Sequence, residues 1–134
     1  MEKHILVIDD SDFMHKMYKV SLTMSTTHKY KVSHAYNGKE GLDMIFDGRE
    51  FDAIFLDVNM PVLSGIDFLK TIKEKSPFFP IPIIMISTEN KESDIKLAIG
   101  LGAKSYLVKP FQPTDLRNAL EKVLQVSDMK KITI

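Results

Sequence analysis

The chain has no cysteine. That excludes a disulfide framework and fits a reducing compartment. It also has no net charge, with 18 Lys and Arg against 18 Asp and Glu. The molecule as a whole therefore gives no electrostatic reason to bind nucleic acid or anionic lipid. No apolar run approaches the ~20 residues that a membrane-spanning helix needs. The N-terminus lacks a signal-peptide pattern, because Met1-Glu2-Lys3 leads directly into an apolar run. Internal linkers, low-complexity segments and solenoid repeats are missing too. The expectation is one soluble, cytoplasmic domain. At 134 residues it buries roughly two-thirds of the surface its unfolded chain exposes, enough for a full core without covalent staples.

What is present is organised around Phe51 to Pro61, FDAIFLDVNMP. Ala53 to Leu56 is a short apolar run with aromatic and branched side chains, the pattern of a strand covered on both faces. Pro61 turns Met60 away from helical angles, so the strand ends before it. Asp57 then stands at the strand's C-terminal end, where open α/β sheets bind ligands. Taken alone, Asp57 reads at least as well as an aspartate that merely ends a strand.

The remaining chain repeats the pattern. His4 to Ile8 is a second apolar run, with Asp9-Asp10 at its end. Ser11 or Asp12 caps a helix whose apolar face is expected from Phe13, Met14, Met17, Val20 and Leu22. Tyr30 to Ala35 alternates loosely and reads as an edge strand. Asn37 and Glu40 have capping-box spacing ahead of Leu42, Ile45 and Phe46, and Gly48 fits just past that helix. Ser64-Gly65 opens a helix through Ile66, Leu69 and Ile72. A proline-rich loop, Ser76 to Pro82, leads to the apolar strand Ile83 to Ile86, which ends at Ser87-Thr88. A helix over Asn90 to Gly102 uses Ile95, Ala98 and Ile99. Lys104 to Val108 is the fifth strand, ending at Lys109-Pro110. Leu116, Ala119, Leu120, Val123 and Leu124 form the last helical stripe, and residues 127–134 are expected to be a loose tail after a domain over 1–126.

Five β-α units with apolar strands point to an α/β fold, a doubly wound parallel sheet, for which 2-1-3-4-5 is a common strand order and the one expected here. In that order the first and third strands are neighbours, so Asp9, Asp10 and Asp57 share one crevice. Ser87 and Lys109 lie on the same edge. Two unit charges about 4 Å apart repel by roughly 4 kcal/mol at an effective dielectric of 20, so such a crevice holds a proton or a cation. Its side-chain ligands are all hard oxygens, which selects Mg²⁺ or Mn²⁺ over zinc. A lysine and a serine hydroxyl beside the ion suit phosphoryl oxygens, and an aspartate can itself be the nucleophile.

With these residues in view, the chain resembles a response-regulator receiver domain of two-component signalling, of the stand-alone CheY-like kind, over about His4 to Gln125. The motifs are Asp9-Asp10, LDVNMP around Asp57 with Gly65 following, Ser87-Thr88, and Tyr106 with Lys109-Pro110-Phe111. The resemblance implies a flavodoxin-like fold and a phosphoprotein rather than an enzyme. Asp57 would take a phosphoryl group, as an aspartyl phosphate, from a sensor histidine kinase or a phosphotransfer protein. Asp10, Asp57 and the main-chain carbonyl of Asn59 would bind Mg²⁺, and Asp9 would hold a metal-bound water. Lys109, before a cis bond to Pro110, would pair with phosphoryl oxygens. Ser87 and Tyr106 would be the switch pair, and the output surface would be the face of helix four, strand five and helix five. The product would be a monomer or a phosphorylation-dependent dimer, without nucleic acid or membrane contact.

Thr88 departs from the family, which usually has a small alanine there. It either hinders the phosphoryl path or points away. Asn59 and Glu89 occupy positions where the family tunes phosphoryl lifetime. His4, His15, His28 and His34 are scattered and read as ordinary surface or edge residues, and methionines such as Met14, Met17, Met44 and Met85 as core filler. Two other readings remain. One is a phosphatase with an aspartyl nucleophile, whose D-x-D loop Asp10-Ser11-Asp12 mimics. The other is a receiver-shaped scaffold that never uses its phosphorylation site. A flavin-binding flavodoxin fits poorly, because Asp-Asp stands where its hydroxyl- and glycine-rich phosphate loop belongs.

Overall fold

The computed structural model describes residues 2–132. The elements alternate: β1 (Glu2–Ile8), α1 (Asp12–Thr23), β2 (Lys29–Ala35), α2 (Gly38–Phe46), β3 (Ala53–Asp57), α3 (Gly65–Lys75), β4 (Ile83–Ser87), α4 (Glu92–Gly100), β5 (Ser105–Val108) and α5 (Pro113–Ile132). The strands form one sheet in the order β2-β1-β3-β4-β5, and every neighbouring pair is parallel. This is the doubly wound, flavodoxin-like strand order.

The continuous apolar strands follow from a sheet covered twice. Successive side chains of a strand point to opposite faces. Ile5 and Val7 of β1, Ala53 and Phe55 of β3, and Ile84 and Ile86 of β4 pack with Tyr18 and Leu22 of α1 and Leu116, Leu120 and Leu124 of α5. Leu6, Ile8, Ile54, Leu56 and Met85 point the other way, onto Met44 and Ile45 of α2, Phe68, Leu69 and Ile72 of α3, and Ala98 of α4. Each buried Val, Leu, Ile, Phe or Met among them contributes roughly 1.5–3 kcal/mol by leaving water. Local signals fix the helix starts. The side chains of Ser11, Asn37 and Ser64 accept from the backbone N–H of Met14, Glu40 and Asp67, each cap worth about 1 kcal/mol. Gly48, at φ 95°, follows α2 in the left-handed region that glycine adopts freely.

Four expectations need correction. The apolar stripe on α1 is only partly its buried face: Leu22 is buried and Met14 packs on the core, but His15, Tyr18 and Ser21 are buried with them, whereas Phe13 and Val20 are 68% and 61% exposed. The core accepts His15 because both ring nitrogens find partners, the Asp9 carbonyl and His34. His15 is thus no surface histidine. α4 begins at Glu92 and buries Ala98, while Ile99 is exposed. Finally, 127–132 is not a loose tail. α5 runs on through it without a glycine or proline to stop it, and Asp128 meets the buried Lys3 of β1 at 3.2 Å. Residues 133 and 134 lie outside the described residues. Among the described residues no helix is long and apolar enough to cross a membrane.

Candidate functional site

Register assembles the site. Ile8 pairs with Leu56, so the residues that follow them, Asp9 and Asp57, stand side by side where β1 and β3 end. Asp57 is level with Ile86 of β4, which places Ser87 one residue further along the edge. Ser87 in turn pairs with Val108 and accepts the Lys109 N–H at 2.7 Å. Gly65 lies against the backbone of Asp57 and Val58. A Cβ there would lie 2.5 Å from the Asp57 carbonyl oxygen, so only glycine lets α3 start this close to the strand end. The chain reaches α3 through Val62, whose φ of 73° is unusual for a branched residue. Leu63 N–H donates to the Pro61 carbonyl across it at 2.8 Å, a tight turn.

Asp9, Asp10 and Asp57 each offer a carboxylate oxygen, all within 4.8 Å of one another. Asp9 and Asp57 are buried and Asp10 is exposed. Lys109 Nζ lies 3.2 Å from Asp57 Oδ1 and 3.7 Å from Asp9 Oδ2. The Lys109–Pro110 bond is cis. Asp9 Oδ1 accepts the Ser11 N–H at 2.8 Å. Its Oδ2 is buried and accepts no hydrogen bond. Burial, more than any neighbour, raises the Asp9 carboxyl above its ordinary value, against the pull of the Ser11 N–H and Lys109. Burial also raises Asp57, then the Asp9 charge does, with Lys109 opposing. One ammonium does not neutralise three carboxylates. A buried oxygen without a hydrogen bond, facing a set of hard-oxygen ligands, fits a divalent cation. The cluster can hold such an ion.

Ser87 is buried, and its Oγ accepts the Glu89 N–H at 3.0 Å. Tyr106 is half-buried, and its hydroxyl donates to the Glu89 carbonyl at 2.9 Å. The two residues expected to switch therefore grip the N–H and the C=O of one residue. Asn59 is exposed beyond the strand. Thr88 is exposed and lines an apolar hollow of ≈ 320 Å³ with Phe13, Met14, Met17, Lys109, Pro110 and Phe111. Asp12 lies outside the acidic cluster. Its carboxylate accepts the Tyr36 hydroxyl at 3.3 Å instead, so no D-x-D loop forms. Sequence reasoning missed two supports of the site, the Glu89 backbone and His15, which holds the Asp9 carbonyl at 2.8 Å. No local pattern announces either one.

The model of the response regulator receiver domain family matches residues 5–121. The chain belongs to that family. This receiver domain is 36% identical over 124 residues to the chemotaxis protein CheY1 of Helicobacter pylori, covering 92% of this chain and 98% of that protein. It is 32% identical over 120 residues to the chemotaxis protein CheY homolog of Campylobacter jejuni, covering 90% and 91%. The structure of Vibrio cholerae chemotaxis protein CheY4 matches the receiver at a TM-score of 0.80 and 34% identity, over 92% of this chain and 99% of that one. The receiver thus belongs with CheY-like response regulators of two-component signalling.

Proposed function

We propose that this receiver is a cytoplasmic phosphoacceptor, modified on Asp57 by a sensor histidine kinase or a phosphotransfer protein in a Mg²⁺-dependent step. One observation carries the proposal. An acidic cluster whose Asp9 Oδ2 has no hydrogen-bond partner is closed on one side by Lys109 at 3.2 Å from Asp57. Asp10, Asp57 and the main-chain carbonyl of Asn59 would hold the ion, with Asp9 acting through a water. Mn²⁺ suits the same oxygens. The role of the Asn59 carbonyl is the one the resemblance to the receiver family implies. When bound, the ion supplies positive charge against the carboxylates and the phosphoryl oxygens.

The chain's own residues do the rest. An Asp57 carboxylate oxygen attacks phosphorus, and the P–N bond of the donor phosphohistidine breaks with its electron pair returning to the ring nitrogen. Lys109 is already in place to take a phosphoryl oxygen. The hollow beside it, walled by Phe13, Met14, Met17 and Phe111, receives apolar side chains of the donor. In this reading the phosphoryl group stays on the protein's own side chain as the signal, as expected of the response-regulator family.

The new group brings a charge near −2 and strong acceptor oxygens. The Ser87 hydroxyl then donates to one of them and gives up Glu89 N–H. Glu89 also carries the acceptor for Tyr106, so displacing this one residue changes what Tyr106 presents. The affected surface is that of α4, β5 and α5, where Leu97 and Ile99 of α4 are already exposed and a downstream protein would dock. Two or three charge-assisted bonds can supply the roughly 5.5 kcal/mol that inverts a 1:99 equilibrium. The Glu89 amide signal in an NMR spectrum should move on phosphorylation in the wild type and stay in Ser87→Ala. Equal movement in both would remove the hydroxyl from the switch. Acceptance itself is tested by intact mass after incubation with Mg²⁺ and acetyl phosphate. One added phosphate, absent with chelator and in Asp57→Asn, is expected. An adduct that survives Asp57→Asn would refute the assignment.

A further inference from the structure

His15 has both ring nitrogens engaged although it is 2% exposed. Nε2 lies 2.8 Å from the Asp9 carbonyl oxygen, and Nδ1 lies 2.7 Å from Nδ1 of His34. A carbonyl only accepts, so Nε2 carries the hydrogen and Nδ1 of the neutral ring is a lone pair. His34 must then donate from its own Nδ1. The two rings meet nearly edge-on, with centroids 4.8 Å apart. A far nitrogen tied to a carbonyl is also the arrangement that fixes the tautomer of metal-binding histidines.

The surroundings suit a ligand pair. Burial, then His15 and Lys19, hold His34 below the ordinary imidazole value, against the pull of Asp12. Moving its proton from Nδ1 to Nε2 gives His34 an inward lone pair of its own. Asp12 precedes His15 by one helical turn and therefore lies on the same side of α1. Its carboxylate is tethered by the Tyr36 hydroxyl, whose ring packs on His15 at 4.2 Å.

We propose that the Nδ1 atoms of His15 and His34 bind a borderline divalent cation of the zinc class, with Asp12 or water completing its coordination. Imidazole suits Zn²⁺, Ni²⁺ and Cu²⁺ and does not suit Mg²⁺, so this site is chemically separate from the acidic cluster. The ion replaces one N–H···N bond, and both rings stay neutral. Among the described residues, only Asp9, Asp10 and Asp57 already bring three such ligand atoms within 4.8 Å. The histidine pair supplies two, so its affinity is modest, and the third ligand comes from the turning of Asp12 or from solvent. The site does not depend on whether Asp57 accepts phosphate.

The test is a Zn²⁺ titration of the full chain in excess Mg²⁺, which competes for the carboxylates, read from the ¹⁵N signals of the histidine rings. One equivalent should shift the Nδ1 signals of His15 and His34 and leave those of His4 and His28 in place. His34→Ala should weaken binding by at least about tenfold, the scale on which even supporting partners of metal ligands count. Ring signals that do not move, or equal binding by His34→Ala, would overturn the proposal. If His34→Ala fails to fold, the wild-type ring signals decide alone.

Discussion

Asp57 carries its charge at a cost while the site is free of metal. Burial and the Asp9 charge raise its folded-state value above the unfolded one, and burial does the same for Asp9. A carboxyl group shifted this way favours the folded state fully below its unfolded pKa, near 4. That contribution is lost as pH rises through the folded value. Asp57→Asn should therefore be more stable than the wild type at pH 7 in chelator, by about 1 kcal/mol, a common gain where a strained functional group is removed. The gain should shrink toward pH 4. Urea unfolding at both pH values checks this, and a wild type that is the more stable at pH 7 would contradict it. The site carboxylates were legible in sequence because each stands where an apolar run stops. His15 was not, because its partners are Asp9 and His34, the latter 19 residues away, and a histidine shows its burial only once those partners are known.

At the scale of elements, strands were easier to read than helix faces. A strand covered on both sides has only to be apolar, whereas a helix face must be chosen, and α1 offers two. The stripe of Phe13, Met14 and Met17 looked like the core side, yet it forms the hollow next to Lys109. Met14 also packs against the core, whereas Phe13 is 68% exposed, and in the proposed reading that exposed ring serves docking. Phe13→Ala should change stability by less than about 0.5 kcal/mol. The same change should slow phosphotransfer from a protein donor about tenfold, the size of an ordinary hot-spot loss, and leave modification by acetyl phosphate unchanged. An equal loss with both donors would mean that Phe13 serves the chemistry instead. The end of α5 was misread because Ser127 to Lys131 looks polar, and its anchor is Lys3 at the other end of the chain. Truncation after Val126 should lower stability by about 1 kcal/mol through the loss of this pair and of helix packing. An unchanged urea midpoint would restore the loose tail.

Over the whole molecule, function follows from strand order. Placing β1 beside β3 sets Asp9 level with Asp57, and placing β4 and β5 beyond them adds Ser87 and Lys109 to the same edge. The alternation of strands and helices made a doubly wound sheet legible, and the order followed from the one such five-stranded sheets commonly take. The linkage through Glu89 was not, since it is made by a backbone that any residue would supply. The central claim is that this edge delivers phosphate to Asp57 and to no other residue. It is tested most directly by borohydride reduction after incubation with Mg²⁺ and a phosphodonor, followed by peptide mapping. Reduction converts an aspartyl phosphate into homoserine at the modified position. The account predicts homoserine at position 57 alone, and only when Mg²⁺ is present. Homoserine at position 9 or 10, or the same yield in chelator, would contradict it.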